Sequence, residues 1–278
     1  MRIRTLHPWN VTPREAIGIQ ESLRGRVATE CRVRAVRYVA GADITWEREE
    51  QRGPLGRTAR ASRADGGHDA DNSNYADGRG CAGGGGCACA RSYAGTRGYA
   101  GIIVFRYPEL DEVERVWAAA EAGFPYVPGL LSFRECPLLL TAFERLTISP
   151  DVILVDGHGL AHPRRIGIAS HLGLLLDKPT IGCAKSRLVG AYREPALRRG
   201  SRTQLRDGGE TVGMVVRTRD AVKPIFVSVG HLMDLKSAVA LCLRCSDGFR
   251  IPKPTRLAHQ FVGELRRHGV KSNNSIQK

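Results

Sequence analysis

The sequence predicts an α/β fold, a mixed central β-sheet flanked by helices, and two patterns carry that expectation. The first is a set of three extended segments, β-branched and partly alternating, that read as an antiparallel meander. The second is a strand–helix–strand run over residues 151–185 whose two strands should lie parallel. With 278 residues and 42% hydrophobic content, the chain is long enough to bury a full core as a single domain.

The elements follow in order. "TPRE" (12–15) is a Thr-x-x-Glu capping box with Pro at the first helical position, and Ala16, Ile19, Leu23 and Val27 mark one face of the helix behind it. "VRAVRYVAGADITW" (33–46), "YAGIIVFRY" (99–107) and "VERVWAAA" (113–120) are the meander strands. "LLSFRECPLLLTAFERL" (130–146) has helical periodicity, with Pro137 expected in its first turn or at a kink. "DVILVD" is apolar on both faces, as a central strand is. The helix "RIGIASHLGLLLD" and the short strand "PTIGCAK" complete the strand–helix–strand unit. "TVGMVVRT" and "PIFVSVG" are two more strands, and "LMDLKSAVALCLRC" and "PTRLAHQFVGELRRH" (254–268) are closing helices. Residues 47–97 stand apart, Gly-, Ala-, Arg- and Asp-rich and almost free of aliphatics, and predict a disordered insertion between the first two strands.

Composition narrows the function classes. No apolar run approaches the ~20 residues of a membrane span, and the charged start "MRIRTLHPWN" has no apolar stretch behind it, so a cytoplasmic protein is expected. The eight cysteines are irregularly spaced and read as reduced thiols. Cys242 and Cys245 make a CxxC, but "ALCLRC" reads as an amphipathic helix and a second CxxC to complete a zinc site is missing. The net charge of +14 is uneven: residues 1–159 carry 20 basic and 20 acidic side chains, whereas residues 160–271 carry 21 and 8. A basic half beside a neutral half predicts a face for a polyanion, foremost nucleic acid.

Three acids stand where apolar residues are expected. Asp43 lies inside the first strand, Asp156 ends the strand "VILV", and Glu135 lies in "SFRE", near the start of the helix after the meander. A carboxylate among Val, Ile and Ala is expensive unless it is paired or bound to metal. A meander followed by a parallel unit is the ribonuclease-H-like arrangement, in which the first and fourth strands are neighbours, so Asp43 and Asp156 should face each other. Oxygen ligands of this kind suit Mg²⁺ or Mn²⁺. Other residues keep alternative readings. His158 and His162 are candidates for metal ligation, His162 equally for orienting a neighbour or contacting phosphate; His231 reads as a cap on the helix after it. Arg134, Arg164, Arg165 and Arg187 are candidate phosphate contacts.

The blocks "GADI", "FPYVPGLLSFRECP", "PDVILVDGHGLAHPRRIGIASHLG", "PTIGCAKSRLVG", "PIFVSVGHLMD" and "PTRLAH" resemble, in order, those of the endonuclease V family of deoxyinosine-directed repair nucleases, over residues 5–46 and 98–270. The resemblance implies that Asp43, Glu135, Asp156 and His259 hold the metal and that Lys185 is the catalytic lysine. It implies that Tyr126, between Pro125 and Pro128, is a wedge that opens the lesion strand. Gly129, Gly157 and Gly159 are expected to line a pocket for an extruded base, with His162 and Arg164 beside them. The implied reaction is Mg²⁺-dependent hydrolysis of the second phosphodiester 3′ of deoxyinosine, leaving 3′-hydroxyl and 5′-phosphate ends, with Mn²⁺ able to substitute and a monomer as the working unit. Two alternatives stay open: an inosine-specific ribonuclease, and an inosine-binding module that does not cut because residues 47–97 block it. The chain departs from the family in that insertion and in Val229, where proline is usual.

Overall fold

The computed structural model describes residues 1, 3–47 and 96–268, so nearly all of the predicted insertion lies outside the described residues. In chain order the strands are β1 (Tyr38–Trp46), β2 (Arg97–Arg106), β3 (Asp111–Glu121), β4 (Val152–Val155), β5 (Thr180–Ala184), β6 (Arg202–Asp207), β7 (Glu210–Val216) and β8 (Ile225–His231). They form one sheet in the order β3-β2-β1-β4-β5-β8-β7-β6. The meander β1–β2–β3 is antiparallel, and β4 lies parallel to both β1 and β5, as the strand pattern predicted.

The helices are α1 (Pro13–Arg24), α2 (Leu131–Glu144), α3 (Ile168–Leu176), α4 (Leu235–Arg244) and α5 (Lys253–His268). Alternate residues of a strand face opposite sides of a sheet. Ala40, Ala42, Ile153 and Val155 therefore pack under α2 and α3, while Val39, Val152, Leu154, Ile181 and Cys183 face the layer that holds α4 and α5. The capping box of α1 is formed, Thr12 and Glu15 bonding reciprocally. Ala16 and Leu23 then bury α1 against two small apolar clusters, one with Phe124, Leu130 and Phe133, the other with Ile166 and Leu174.

Three local expectations are corrected, and one strand is added. The first strand starts at Tyr38 and not at residue 33, because the Asp151 carboxylate accepts the Arg37 and Tyr38 N–H groups (2.7 and 2.9 Å) and pins the chain where pairing with β2 begins. Of the two places expected for Pro137, the first turn is excluded: it sits in the interior of α2. Its missing N–H costs about 3 kcal/mol in a helix interior, offset by the burial of Phe133, Leu138, Leu139, Leu140 and Phe143. His231 does not cap α4. That position belongs to Asp234, whose carboxylate accepts the Ser237 N–H at 2.8 Å, while His231 Nδ1 accepts the Ala28 N–H. The edge strand β6 has no apolar alternation to predict it, since only Leu205 of its six residues is buried. Cys242 and Cys245 are buried on and just after α4, and among the described residues they belong to no cluster of metal-ligating groups.

Behind α2, the Ser132 hydroxyl meets His171 Nδ1 (2.9 Å) and His171 Nε2 meets His7 Nε2 (2.7 Å). His7 Nδ1 lies 2.8 Å from the Pro8 carbonyl, which only a donor can satisfy, and burial lowers the pKa of both imidazoles; with both rings neutral the chain runs Ser132→His171→His7→Pro8. Burial pushes the His171 pKa down to about 3. The unfolded chain therefore takes up a proton below pH 6.5 that the folded chain refuses, and stability is present above that pH and drains away as pH falls toward 3. At pH 5 this amounts to roughly 2 kcal/mol. Denaturant unfolding of the wild type and His171→Asn at pH 7 and pH 5 checks it: the wild type loses more stability on acidification, and parallel losses would refute the linkage.

Candidate active site

β1 and β4 run side by side, and the ladder continues one step past the last paired residue through the Asp156 N–H to the Ala42 carbonyl (3.2 Å). Asp43 and Asp156 are thereby carried on adjacent strands with the side-chain parity of Val39 and Leu154, toward the helix α5. From α5, His259 Nδ1 lies 2.7 Å from Asp43 Oδ2. One ligand atom from each of Asp43, Asp156 and His259 falls within 4.8 Å of the others. Lys185, directly after β5, sets its Nζ 2.5 Å from Asp156 Oδ2. Glu135 is outside that group of three but close enough to feel both carboxylates, and it is buried in the first turns of α2.

The electrostatics show what the cluster lacks. Burial above all, and then the Asp43 charge, push the Glu135 carboxyl up to about 8, with the Trp46 indole pulling the other way. Asp156 is raised by the same two causes, partly relieved by Lys185. His259 is raised chiefly by its bond to Asp43. Crowded, poorly solvated carboxyls favour added positive charge; Lys185 beside Asp156, His259 beside Asp43 and Arg134 near Glu135 supply some, yet Glu135 and Asp156 are still held above the ordinary carboxylate range. A hard oxygen-rich set with one imidazole suits a divalent cation such as Mg²⁺ or Mn²⁺.

Beside this cluster, "FPYVPGL" forms a loop from β3 to α2. Pro128 and Gly129 occupy the centre of a turn closed by the Leu130 N–H on the Val127 carbonyl (2.9 Å), and the φ of +77° at Gly129 is the type II geometry that favours glycine. Tyr126 stands at the apex, 61% exposed, between the partly buried Pro125 and Val127. The loop is held at both ends. Arg134 Nη1 donates to the Phe124 carbonyl (3.0 Å) while its guanidinium stacks on Trp46, and Arg164 Nη2 and His162 Nε2 reach the Gly129 carbonyl (2.6 and 3.1 Å). His162 Nδ1 accepts the Arg164 N–H, so the ring is neutral and its second nitrogen donates to Gly129, in keeping with a pKa pushed down to about 4 by burial.

These contacts sort the arginine candidates. Arg134 is buried and bonded inside the protein, so the expectation of a surface phosphate contact fails for it. Arg165 is engaged by Asp207 and Glu210 (both 2.9 Å), whereas Arg187 is exposed and gives one N–H to the Gly190 carbonyl. His158 is partly buried, desolvation pushes its pKa down to about 4, and it lies outside the three-ligand group. Gly157 follows Asp156 directly, and Gly159 donates its N–H to Ser228 Oγ (2.8 Å). A Cβ on Gly159 would lie 1.9 Å from the Val229 carbonyl, so glycine there is already required by the close approach to β8.

A model of the endonuclease V family matches residues 71–260. The chain is 42% identical to the endonuclease V of Dehalococcoides mccartyi, over 95% of this chain and 99% of that one. The chain belongs to the endonuclease V family. The solved endonuclease V of Streptomyces avermitilis is 34% identical and superposes with a TM-score of 0.74, covering 96% of this chain and 99% of that chain. The endonuclease V of Ciona intestinalis, crystallised with a 23mer DNA containing an inosine followed by a ribo-adenosine, shares the fold at a TM-score of 0.66 and 24% identity, covering 93% of this chain and 99% of that one. The eight-stranded sheet is accordingly the ribonuclease-H-like fold of endonuclease V enzymes, and the chain is a nuclease. No helix among the described residues is long and apolar enough to cross a membrane.

Two residues near the site are not singled out by the sequence pattern. Ser228 was hidden inside a strand. Gln20 was visible as a polar residue on the buried stripe of α1, four positions after Ala16 and three before Leu23, and that break in the stripe was the available sign.

Proposed function

We propose that this endonuclease V family member hydrolyses DNA at deoxyinosine, cutting the second phosphodiester 3′ of the lesion and leaving 3′-hydroxyl and 5′-phosphate ends. The observation that carries the reading is the convergence of Asp43, Asp156, His259 and Lys185 beside a stiff loop that offers an exposed tyrosine. The family resemblance of those blocks supplies the substrate.

Asp43, Asp156, Glu135 and His259 would hold Mg²⁺, for which Mn²⁺ can substitute. When bound, the cation supplies the positive charge that polarises the scissile phosphodiester and its attacking water. Lys185 keeps its ammonium beside Asp156, where it neutralises charge growing on the phosphate and the departing 3′ oxygen. Tyr126 fills the gap left by the extruded base, and Pro125 and Pro128 keep it from folding back. Gly129, Gly157 and Gly159 bring backbone close to the base, with His162 and Arg164 fixing Gly129. Hypoxanthine offers an O6 acceptor and an N1–H donor, the reverse of adenine, and lacks the 2-amino group of guanine. A tight backbone-lined pocket therefore leaves polar groups unpaired against adenine and clashes with guanine. The chain works as a single-domain monomer in the cytoplasm, with residues 47–97 as a passive insertion.

Stacking of a base on an aromatic ring contributes about 1–3 kcal/mol, so Tyr126→Ala should lower affinity for an inosine duplex roughly tenfold to hundredfold with little change for an undamaged one. Equal affinities for wild type and variant would remove the wedge from the account. Substrate class is tested by single-turnover cutting of deoxyinosine duplex, inosine-containing single-stranded RNA and undamaged DNA. The deoxyinosine duplex should be cut fastest; a faster RNA lane would make the protein a ribonuclease, and binding without a cut in any lane would make it a lesion-binding module.

A further inference from the structure

We infer that Gln20, on the N-terminal helix, is a positioning residue that sets the angle at which the Tyr126 loop is presented. Its side chain is buried, 1% exposed, between the two apolar clusters that Ala16 and Leu23 help to form, a place where an aliphatic residue would avoid burying an amide. The amide is nevertheless well satisfied. Its Oε1 accepts Arg164 Nε at 2.5 Å, and its Nε2 donates to the Gly129 carbonyl at 3.1 Å and the Ile166 carbonyl at 3.4 Å.

The Gly129 carbonyl thus receives Gln20, Arg164 and His162 together, one from α1 and two from the loop after β4. A buried polar network of this kind specifies one arrangement because every partial alternative leaves a donor unpaired. At the other end of the loop Arg134 holds the Phe124 carbonyl. Only residues 125–128 lie between the two anchors, and Tyr126 is their apex. Beside the apolar packing of Ala16 on Phe124 and Leu130, Gln20 gives α1 its hydrogen bond to that anchor among the described residues, and its bond orients the Arg164 guanidinium. Arg164 therefore acts through Gly129, and its Nε and Nη2 are already engaged within the protein.

The brace itself stands on these contacts; its consequence for lesion recognition rests on the wedge reading of Tyr126. Two measurements separate them. In the free protein, hydrogen exchange at the Leu130 amide, which closes the 127–130 turn, should quicken about tenfold in Gln20→Met while the amides of α5 keep their protection. Unchanged exchange at Leu130 overturns the inference. In cleavage, Gln20→Met should raise KM for the deoxyinosine duplex with kcat held within about twofold, and in a Tyr126→Ala background it should add nothing further. An equal loss in both backgrounds, or a loss in kcat alone, overturns the positioning role. Faster exchange with a Tyr126→Ala variant of normal lesion affinity keeps the brace and removes the wedge. If Gln20→Met does not fold, Gln20→Glu keeps the volume and the Arg164 contact while removing the donor to Gly129, and the same pattern is expected of it.

Discussion

Asp156→Asn is expected to lower the rate of nicking at deoxyinosine by at least about a thousandfold while leaving affinity for the same duplex within a few-fold. Charge stabilisation by a bound cation is worth several kcal/mol, and each 1.4 kcal/mol or so is a factor of ten. Among the described residues its side chain pairs with Lys185 and adjoins Asp43 and His259, none of which is bonded to the Tyr126 loop, so the presentation of Tyr126 does not depend on it. The same variant should be no less stable than the wild type without metal, since removing one carboxylate relieves the burial and repulsion that raise Asp156 and Glu135. Added Mg²⁺ should raise the melting temperature of the wild type and leave that of Asp156→Asn where it was. Cutting retained by Asp156→Asn, measured in single turnover, would mean that the metal centre lies elsewhere. Asp43→Ala should behave alike.

Lys185→Met is the second large effect. Loss of one preorganised electrostatic group typically costs a hundredfold to a thousandfold in kcat, and that range is expected here with KM nearly unchanged. Its ammonium is also part of what keeps Asp156 from rising further, so the variant should bind Mg²⁺ without the competing cation at Asp156. A fall in kcat with a retained Mg²⁺-dependent rise in melting temperature would therefore assign Lys185 to the reaction and not to the metal. If both are lost together, Lys185 is needed to assemble the cluster and its separate part in the cut is withdrawn.

How much of this could be read from the sequence follows from what each residue disturbs. Asp43 and Asp156 stood out because they interrupt runs of Val, Ile and Ala, and the strand pattern by itself placed their strands side by side. Glu135 stood out as an acid at the apolar start of a helix, whereas His259 lies on a helix where an ionisable residue is ordinary, and the family resemblance was needed to single it out. Arg134 was misjudged because composition records charge and not burial; its guanidinium is folded under the loop against Trp46. The cap of α4 was misplaced on His231 when Asp234, three residues before Ser237, had the better chemistry. β6 left too little apolar alternation to detect, and Gln20 passed as a flaw in a helical stripe when it is a bonded part of the site.

On the proposed reading the Asp43–Asp156–His259 cluster, with Glu135 beside it, would hold a divalent cation for a cut just 3′ of deoxyinosine. The most direct measurement is nicking of an end-labelled duplex carrying one deoxyinosine, with Mg²⁺ and with EDTA, the product sized to the nucleotide and its ends tested with phosphatase and ligase. The account predicts a single Mg²⁺-dependent nick at the second phosphodiester 3′ of the lesion, with 3′-hydroxyl and 5′-phosphate ends. A nick that persists in EDTA, or a product cut at the lesion itself with the base released, would contradict it.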